Sequence, residues 1–284
     1  MRVLWISDFG IKHSIGGAQR SNHLVIEEGK KQGHSITEFN YDSNHSLLNN
    51  GYDLVVSSNL EILYNNFPDI IQHVVSRPQR HVRLEHDSNR YLKPEDRELL
   101  FDSCDKAFFL TNFHYNQFVD MYGEIFRNVE IVPDPIDTDL FYDYGQKRED
   151  PILYIGYMHY LKGTDSFFEY VSENADKNFA MAAWGTPHYE RIARSFSNIE
   201  WLGIRDHKEM AKLYNQYKVL HYHPVFFEPF CRTVGEALLC GMELNCNDLI
   251  GSLHHFKEVG REEFIRQSNT ATQMFWDKAE ECFV

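Results

Sequence analysis

The stretch Phe227-Glu228-Pro229-Phe230-Cys231-Arg232-Thr233-Val234-Gly235-Glu236-Ala237-Leu238-Leu239-Cys240-Gly241 sets two carboxylates eight positions apart, where a proline-broken loop runs into an apolar helix. Pro229 cannot continue a strand ladder, so Glu228 is expected in a loop. Val234, Ala237 and Leu238 recur at helical spacing around Glu236, and Gly241 suits a left-handed cap that ends the run. Glu228 then lies at the mouth of a helix start and Glu236 in its second turn, both able to face one cleft. Phe226, Phe227 and Phe230 flank Glu228, so a sheltered site is expected.

Working outward, short apolar runs alternate with helix-like segments. Strands are expected over Val3–Ile6, Ser35–Phe39, Asp53–Ser57, His81–Leu84, Lys106–Leu110 and Val129–Val132. Helices are expected over Ala18–Lys31 and Asn112–Met121. The charged, unpatterned stretch Asp143–Pro151 reads as an interdomain linker. The rhythm then restarts, with strands over Ile152–Ile155, Phe179–Ala183, Ile199–Leu202, Val219–His223 and Glu243–Cys246. Helices are expected over Thr164–Ser172, Val234–Leu239 and most of Glu262–Phe283. Strands alternating with helices imply parallel sheets covered on both faces. The expected class is α/β with two Rossmann-like domains facing across a cleft. Its parts are a first domain over 1–145, a second domain over 146–265 and a terminal helix over 266–284.

The length of 284 residues suits two such lobes of about 140 residues each. Hydrophobic residues make up 43% of the chain, ordinary for a globular protein. The formal net charge of −14 argues against general electrostatic wrapping of nucleic acid, although a local basic patch fits within it. The five cysteines are odd in number and form no C-x-x-C pair, so neither a disulfide framework nor a zinc ribbon is supported. Met1–Ile6 reads as a short strand stopping at Ser7-Asp8, without the apolar region of a signal peptide. No apolar run is long enough to span a membrane. A cytoplasmic protein is expected.

Four ordered pieces resemble the retaining glycosyltransferases of the GT-B fold, family 4, over nearly the whole chain. Ile15-Gly16-Gly17-Ala18-Gln19-Arg20 is similar to their G-G-A-E-R opening, with Gln19 in place of Glu. Glycines at a strand-to-helix turn let the backbone approach a phosphate or sugar. An ordinary βα turn is the other reading, and the G-x-G-x-x-G of dinucleotide-binding dehydrogenases is absent. Val132-Pro133-Asp134-Pro135-Ile136-Asp137-Thr138-Asp139-Leu140-Phe141 resembles the segment that closes the first lobe. Its Asp137 and Asp139 form a D-x-D triplet whose plainer role is to cap a turn.

Gly156-Tyr157-Met158-His159-Tyr160-Leu161-Lys162-Gly163 resembles G-R-x-x-x-x-K-G, whose Arg and Lys neutralise the donor diphosphate. Lys162 matches, Tyr157 replaces the Arg, and His159 or Arg232 is a candidate partner charge. The opening stretch resembles the Glu-x7-Glu element, which assigns Glu228 to donor-sugar hydroxyls and Glu236 to ribose hydroxyls. Carboxylates suit both tasks because each accepts charge-assisted hydrogen bonds. The following loop Asn247–Leu253, with Ile250, Gly251 and Ser252, is expected to offer backbone N–H groups to the phosphates.

Glu85-His86-Asp87 resembles the H-D placed at the cleft, with His86 against the transferred sugar or serving as a structural strand-end histidine. From Arg77 to Lys93 five Lys or Arg face Glu85 and Asp87, a cationic rim suited to an anionic acceptor. Arg20, Arg83, Asp87 and Arg90 are its acceptor-side candidates.

The resemblance implies a metal-independent transferase with Lys162, Glu228 and His86 in catalysis. Donor binding falls to Gly16, Gly17, Lys162, Arg232, Glu228, Glu236, Ile250, Gly251 and Ser252. No cofactor is implied beyond a nucleotide-diphosphate sugar as co-substrate, a UDP-sugar first. The acceptor is a glycan, a small molecule or a modified DNA base, the last as in viral DNA-modifying transferases. A nucleotide-sugar epimerase and a non-catalytic sugar-nucleotide-binding module are the remaining alternatives.

Overall fold

A computed structural model describes residues 1–12, 16–76 and 79–283. The chain forms two compact units. One comprises Met1–Pro135 together with the residues from Asn269 onward, and the other is Ile136–Ser268.

The first unit is built on β1 (Arg2–Ile6), α1 (Gly17–Lys31), β2 (Ser35–Phe39), β3 (Leu54–Ser57), α2 (Glu61–Asn66), α3 (Ile70–Val75), β4 (Arg80–Leu84), α4 (Pro94–Asp102), β5 (Lys106–Phe109), α5 (Asn112–Tyr122) and β6 (Val129–Ile131). The six strands form one parallel sheet in the order β2-β1-β3-β4-β5-β6. Central strands of such a sheet are buried on both faces, so they read as continuous apolar runs. Leu54, Val55 and Val56 on β3 and Ala107, Phe108 and Phe109 on β5 are fully buried.

The second unit holds β7 (Glu149–Met158), α6 (Thr164–Glu173), β8 (Phe179–Gly185), α7 (Pro187–Ser195), β9 (Ile199–Trp201), α8 (His207–Gln216), β10 (Tyr217–Tyr222), α9 (Arg232–Leu239), β11 (Glu243–Cys246) and α10 (Gly251–Val259). Its five parallel strands are ordered β11-β10-β7-β8-β9. The chain steps from β7 to β8 and β9 on one side, then returns to lay β10 and β11 on the other. The order therefore reverses between β7 and β10. In open parallel sheets ligands collect in the crevice outside the strand C-termini at such a point.

The boundary differs from the sequence expectation. Asp143–Pro151 lies inside the second unit, not between the two. Asp143 accepts from the Gly145 N–H at 2.9 Å and from Arg148 at 3.1 Å, and Arg148 also donates to the Tyr214 carbonyl at 2.9 Å. Charge here signals a hydrogen-bonded approach to β7. The division falls after Pro135, within Val132–Phe141. Asp137 Oδ1 caps that turn through the N–H groups of Asp139 at 3.1 Å and Leu140 at 3.2 Å.

The last helix, α11 (Arg261–Glu280), contributes to both units, changing membership between Ser268 and Asn269. In the first unit Trp276 donates its indole N–H to the Val25 carbonyl at 2.7 Å, and Phe275 packs on Phe108 at 4.6 Å between centroids. Gly29 makes room for it, since a Cβ there would lie 2.4 Å from the Trp276 ring. No helix among the described residues is long and apolar enough to cross a membrane. All five cysteines are free thiols.

Candidate active site

The switch point of the second unit brings together the two sides of the sequence motif. After β7 the chain makes a tight 3-10 turn over Tyr160–Lys162, ended by Gly163 in the left-handed region with φ of 76°. His159 Nδ1 accepts the Leu161 N–H at 3.3 Å, so that ring caps the turn. A Cβ on Gly163 would fall 1.9 Å from the His223 carbonyl oxygen, so only glycine lets this turn press against the end of β10.

After β10 the chain runs through Pro224–Phe227 to Glu228, whose N–H donates to the Leu249 carbonyl at 2.7 Å. Lys162 and Glu228 meet there. The ammonium donates to both carboxylate oxygens, at 2.6 and 2.8 Å. Side-chain exposures of 40% for Lys162 and 12% for Glu228 leave the cation reachable from solvent. Burial opposes the Lys162 charge, and Glu228 more than offsets this, so its pKa stands above the ordinary lysine value.

Glu228 has a third partner that the sequence did not disclose. The buried Tyr222 at the end of β10 donates its hydroxyl to Glu228 Oε1 at 3.2 Å. Burial raises the Tyr222 pKa well above ordinary, so the phenol stays a donor. Glu236 is held in the same way. Tyr214 of α8 donates to its Oε2 at 3.2 Å, and Arg232 reaches Oε1 at 3.3 Å one helical turn away. Arg232 is thus engaged with Glu236. Tyr157, at the family Arg position, is an exposed ring among His159 and Trp184.

Two expectations are corrected. Asn247–Leu253 is a loop only as far as Ile250, because Gly251 opens α10. The Gly251 N–H donates to the Glu228 carbonyl at 2.9 Å and the Ser252 N–H to the Phe230 carbonyl at 2.6 Å. These amides tie two loops together instead of pointing at a phosphate, and Ile250 and Ser252 are wholly buried.

The cationic rim is the second. Arg83 is fully buried, paired with Glu85 and donating to Asn89 at 2.6 Å and to the Ser58 carbonyl at 3.0 Å. Burial opposes its charge, and the Glu85 carboxylate beside it more than compensates. Arg80 pairs with Asp105 at 3.0 Å, and Arg77 lies outside the described residues. Arg90 and Lys93 stay exposed, while Asp87 accepts from the Asn89 N–H at 2.7 Å.

The His86 side chain is 3% exposed, bonded through Nε2 to Asn22 Oδ1 at 3.1 Å, with Nδ1 3.8 Å from Asp134. Its burial fits the strand-end structural role. Gly16 is the N-cap of α1, Gly17 is its first residue, and the half-buried Arg20 donates its N–H to the Gly16 carbonyl at 3.1 Å. Ile15 lies outside the described residues.

No protein-family model matches the chain, and no curated protein sequence does. Solved structures do. Sucrose-phosphate synthase from Thermosynechococcus elongatus aligns with a TM-score of 0.70 at 12% identity, over 98% of this chain and 96% of that one. HepE from Anabaena, in complex with UDP and glucose, gives 0.67 at 10% identity over 100% and 95%. An α-glucosyltransferase in complex with UDP-glucose and DNA containing an abasic site gives 0.60 at 14% identity over 99% and 93%. The chain has the two-domain α/β fold of these GT-B glycosyltransferases.

Proposed function

We propose that the protein is a glycosyltransferase that moves a sugar from a nucleotide-diphosphate sugar, a UDP-sugar first, to a hydroxyl acceptor, with retention and without a metal ion. One observation carries this reading: Lys162 and Glu228 converge at the switch point of the second unit, where the sheet order selects a ligand crevice. Likeness to structures holding UDP and UDP-glucose supports it.

The bond from the anomeric carbon to the diphosphate oxygen breaks, and the leaving diphosphate gains negative charge. Lys162 is placed to meet that charge, which grows toward the transition state. Glu228 accepts hydroxyl protons of the donor sugar, and Glu236 those of the ribose. The acceptor oxygen attacks the face the diphosphate leaves, passing its proton to the departing phosphate.

A screen of UDP-, GDP- and ADP-sugars for thermal stabilisation tests the donor assignment. A rise with a UDP-sugar is expected, and none with any of them overturns it. Transfer is expected to survive excess EDTA, whereas activity restored only by manganese or magnesium would return Asp137 and Asp139 to consideration.

A DNA acceptor is the second reading, favoured by the DNA-bound neighbour. The net charge of −14 and the burial of Arg83 weigh against it. Retention on immobilised duplex DNA at low salt would revive it.

A further inference from the structure

Two buried tyrosines stand behind the two glutamates of the motif. Tyr222 ends β10 at 4% exposure and Tyr214 lies on α8 at 0%. Each points its hydroxyl at one carboxylate oxygen, Tyr222 at Glu228 Oε1 and Tyr214 at Glu236 Oε2, both at 3.2 Å. A carboxylate cannot donate, so each phenol is the donor. The cationic partner takes the rest: Lys162 reaches both oxygens of Glu228, and Arg232 reaches Oε1 of Glu236.

The two kinds of partner differ in mobility. Lys162 is a long side chain, 40% exposed, that a phosphate competes for. Tyr222 is fixed by the strand and the core around it. A carboxylate held only by Lys162 would lose its orientation when the ammonium turned to a diphosphate. A buried phenol on Oε1 prevents that and leaves the lone pairs of Oε2 for a sugar hydroxyl.

We infer that Tyr222 and Tyr214 are positioning residues of the donor site, Tyr222 fixing Glu228 for the sugar and Tyr214 fixing Glu236 for the nucleoside. The inference rests on the donor reading above, and it makes the two tyrosines separable. Of the two phenols, only Tyr222 contacts the sugar-side carboxylate and only Tyr214 the nucleoside-side one.

Calorimetric titration of UDP and of UDP-glucose into wild type, Tyr222→Phe, Tyr214→Phe and Glu228→Gln tests this. Phenylalanine keeps the ring and its packing, and thermal unfolding checks the fold. Tyr222→Phe should leave UDP affinity unchanged and weaken UDP-glucose about 10-fold, the lower end of the scale of one hydrogen bond to a charged group. Tyr214→Phe should weaken both ligands by the same factor. A purely structural role would move UDP and UDP-glucose together in both variants, and that result overturns the inference. So does a collapse of the UDP-glucose preference in Glu228→Gln with the preference intact in Tyr222→Phe. Wild type without extra affinity over UDP for any UDP-sugar, UDP-glucose being the first tried, or a Glu228→Gln variant that retains that extra affinity, overturns the donor reading itself.

Discussion

Each unit carries an ion pair at or just beyond the C-terminal end of a central strand, and the two pairs are opposites. Arg83 and Glu85 are 1% and 0% exposed, and the surrounding groups, Asn89 and the Ser58 carbonyl among them, satisfy what the pair leaves over. Lys162 and Glu228 are 40% and 12% exposed, held by one tyrosine and otherwise by each other. A buried charge pair is maintained by the fold, and removing one partner strands the other. A pair at the surface of a crevice contributes little to stability and remains available to a ligand. Both cations were candidates on sequence, and burial sorts them.

The largest way to break the comparison is Arg83→Leu. It leaves Glu85 charged in the core, and urea unfolding should show a loss of about 3–5 kcal/mol. A loss below about 1 kcal/mol would mean that Glu85 finds compensation elsewhere. The mirror experiment is Lys162→Ala, which should leave the unfolding midpoint nearly unchanged and cut turnover about 100-fold, the scale of one transition-state donor. Donor affinity should fall by less than turnover. Equal kinetics would place the phosphates elsewhere.

Protonation sharpens the contrast further. Burial pushes His81 and His114 in the first unit, and His221 in the second, down to about 3. An unfolded histidine binds its proton near pH 6.5, so the unfolded state binds more protons between that value and about 3. Each depressed histidine therefore lowers stability as pH falls through that window, by up to about 1.4 kcal/mol per pH unit. Ring resonances of the three should stay unshifted between about pH 7 and 4.5. Titration of any of them near 6.5 would contradict its burial.

The smallest effect concerns Cys231, which precedes α9 with φ of 67°. Left-handed backbone costs a non-glycine residue about 1–2 kcal/mol. Cys231→Gly should raise the unfolding free energy by about 1 kcal/mol after the loss of the thiol's packing. A fall would show that the thiol contributes more than the strain removes.

Period and composition carried much of the architecture. Ser35–Phe39 and Glu243–Cys246 are strands with the bounds their apolar and β-branched residues imply. Lys162 and Glu228 stand out in the sequence only through the resemblance of Gly156–Gly163 and Phe227–Gly241 to family motifs, and the structure brings their side chains together. Tyr222 and Tyr214 do not stand out, since a tyrosine in an apolar run reads as core and its hydroxyl's partner lies 6 or 22 residues away. Arg83 was misread because charge suggests surface. The available signal was its place in His81–Leu84, a strand buried on both faces, where an arginine requires a partner. The helical start at Gly251 escaped for a related reason: Gly and Ser read as loop until their N–H groups are seen to bind the preceding loop.

The divided first unit has a consequence for how the protein is made. The second unit is one unbroken run, Ile136–Ser268, and has every residue of its core once that run has left the ribosome. The first unit emerges earlier but lacks the ring that fills the space over Gly29 until Trp276 is synthesised. Domains otherwise tend to complete in the order they are translated. Here the part begun first is finished last, and a ribosome stalled short of residue 276 would present a closed second unit beside a first unit with its core still open.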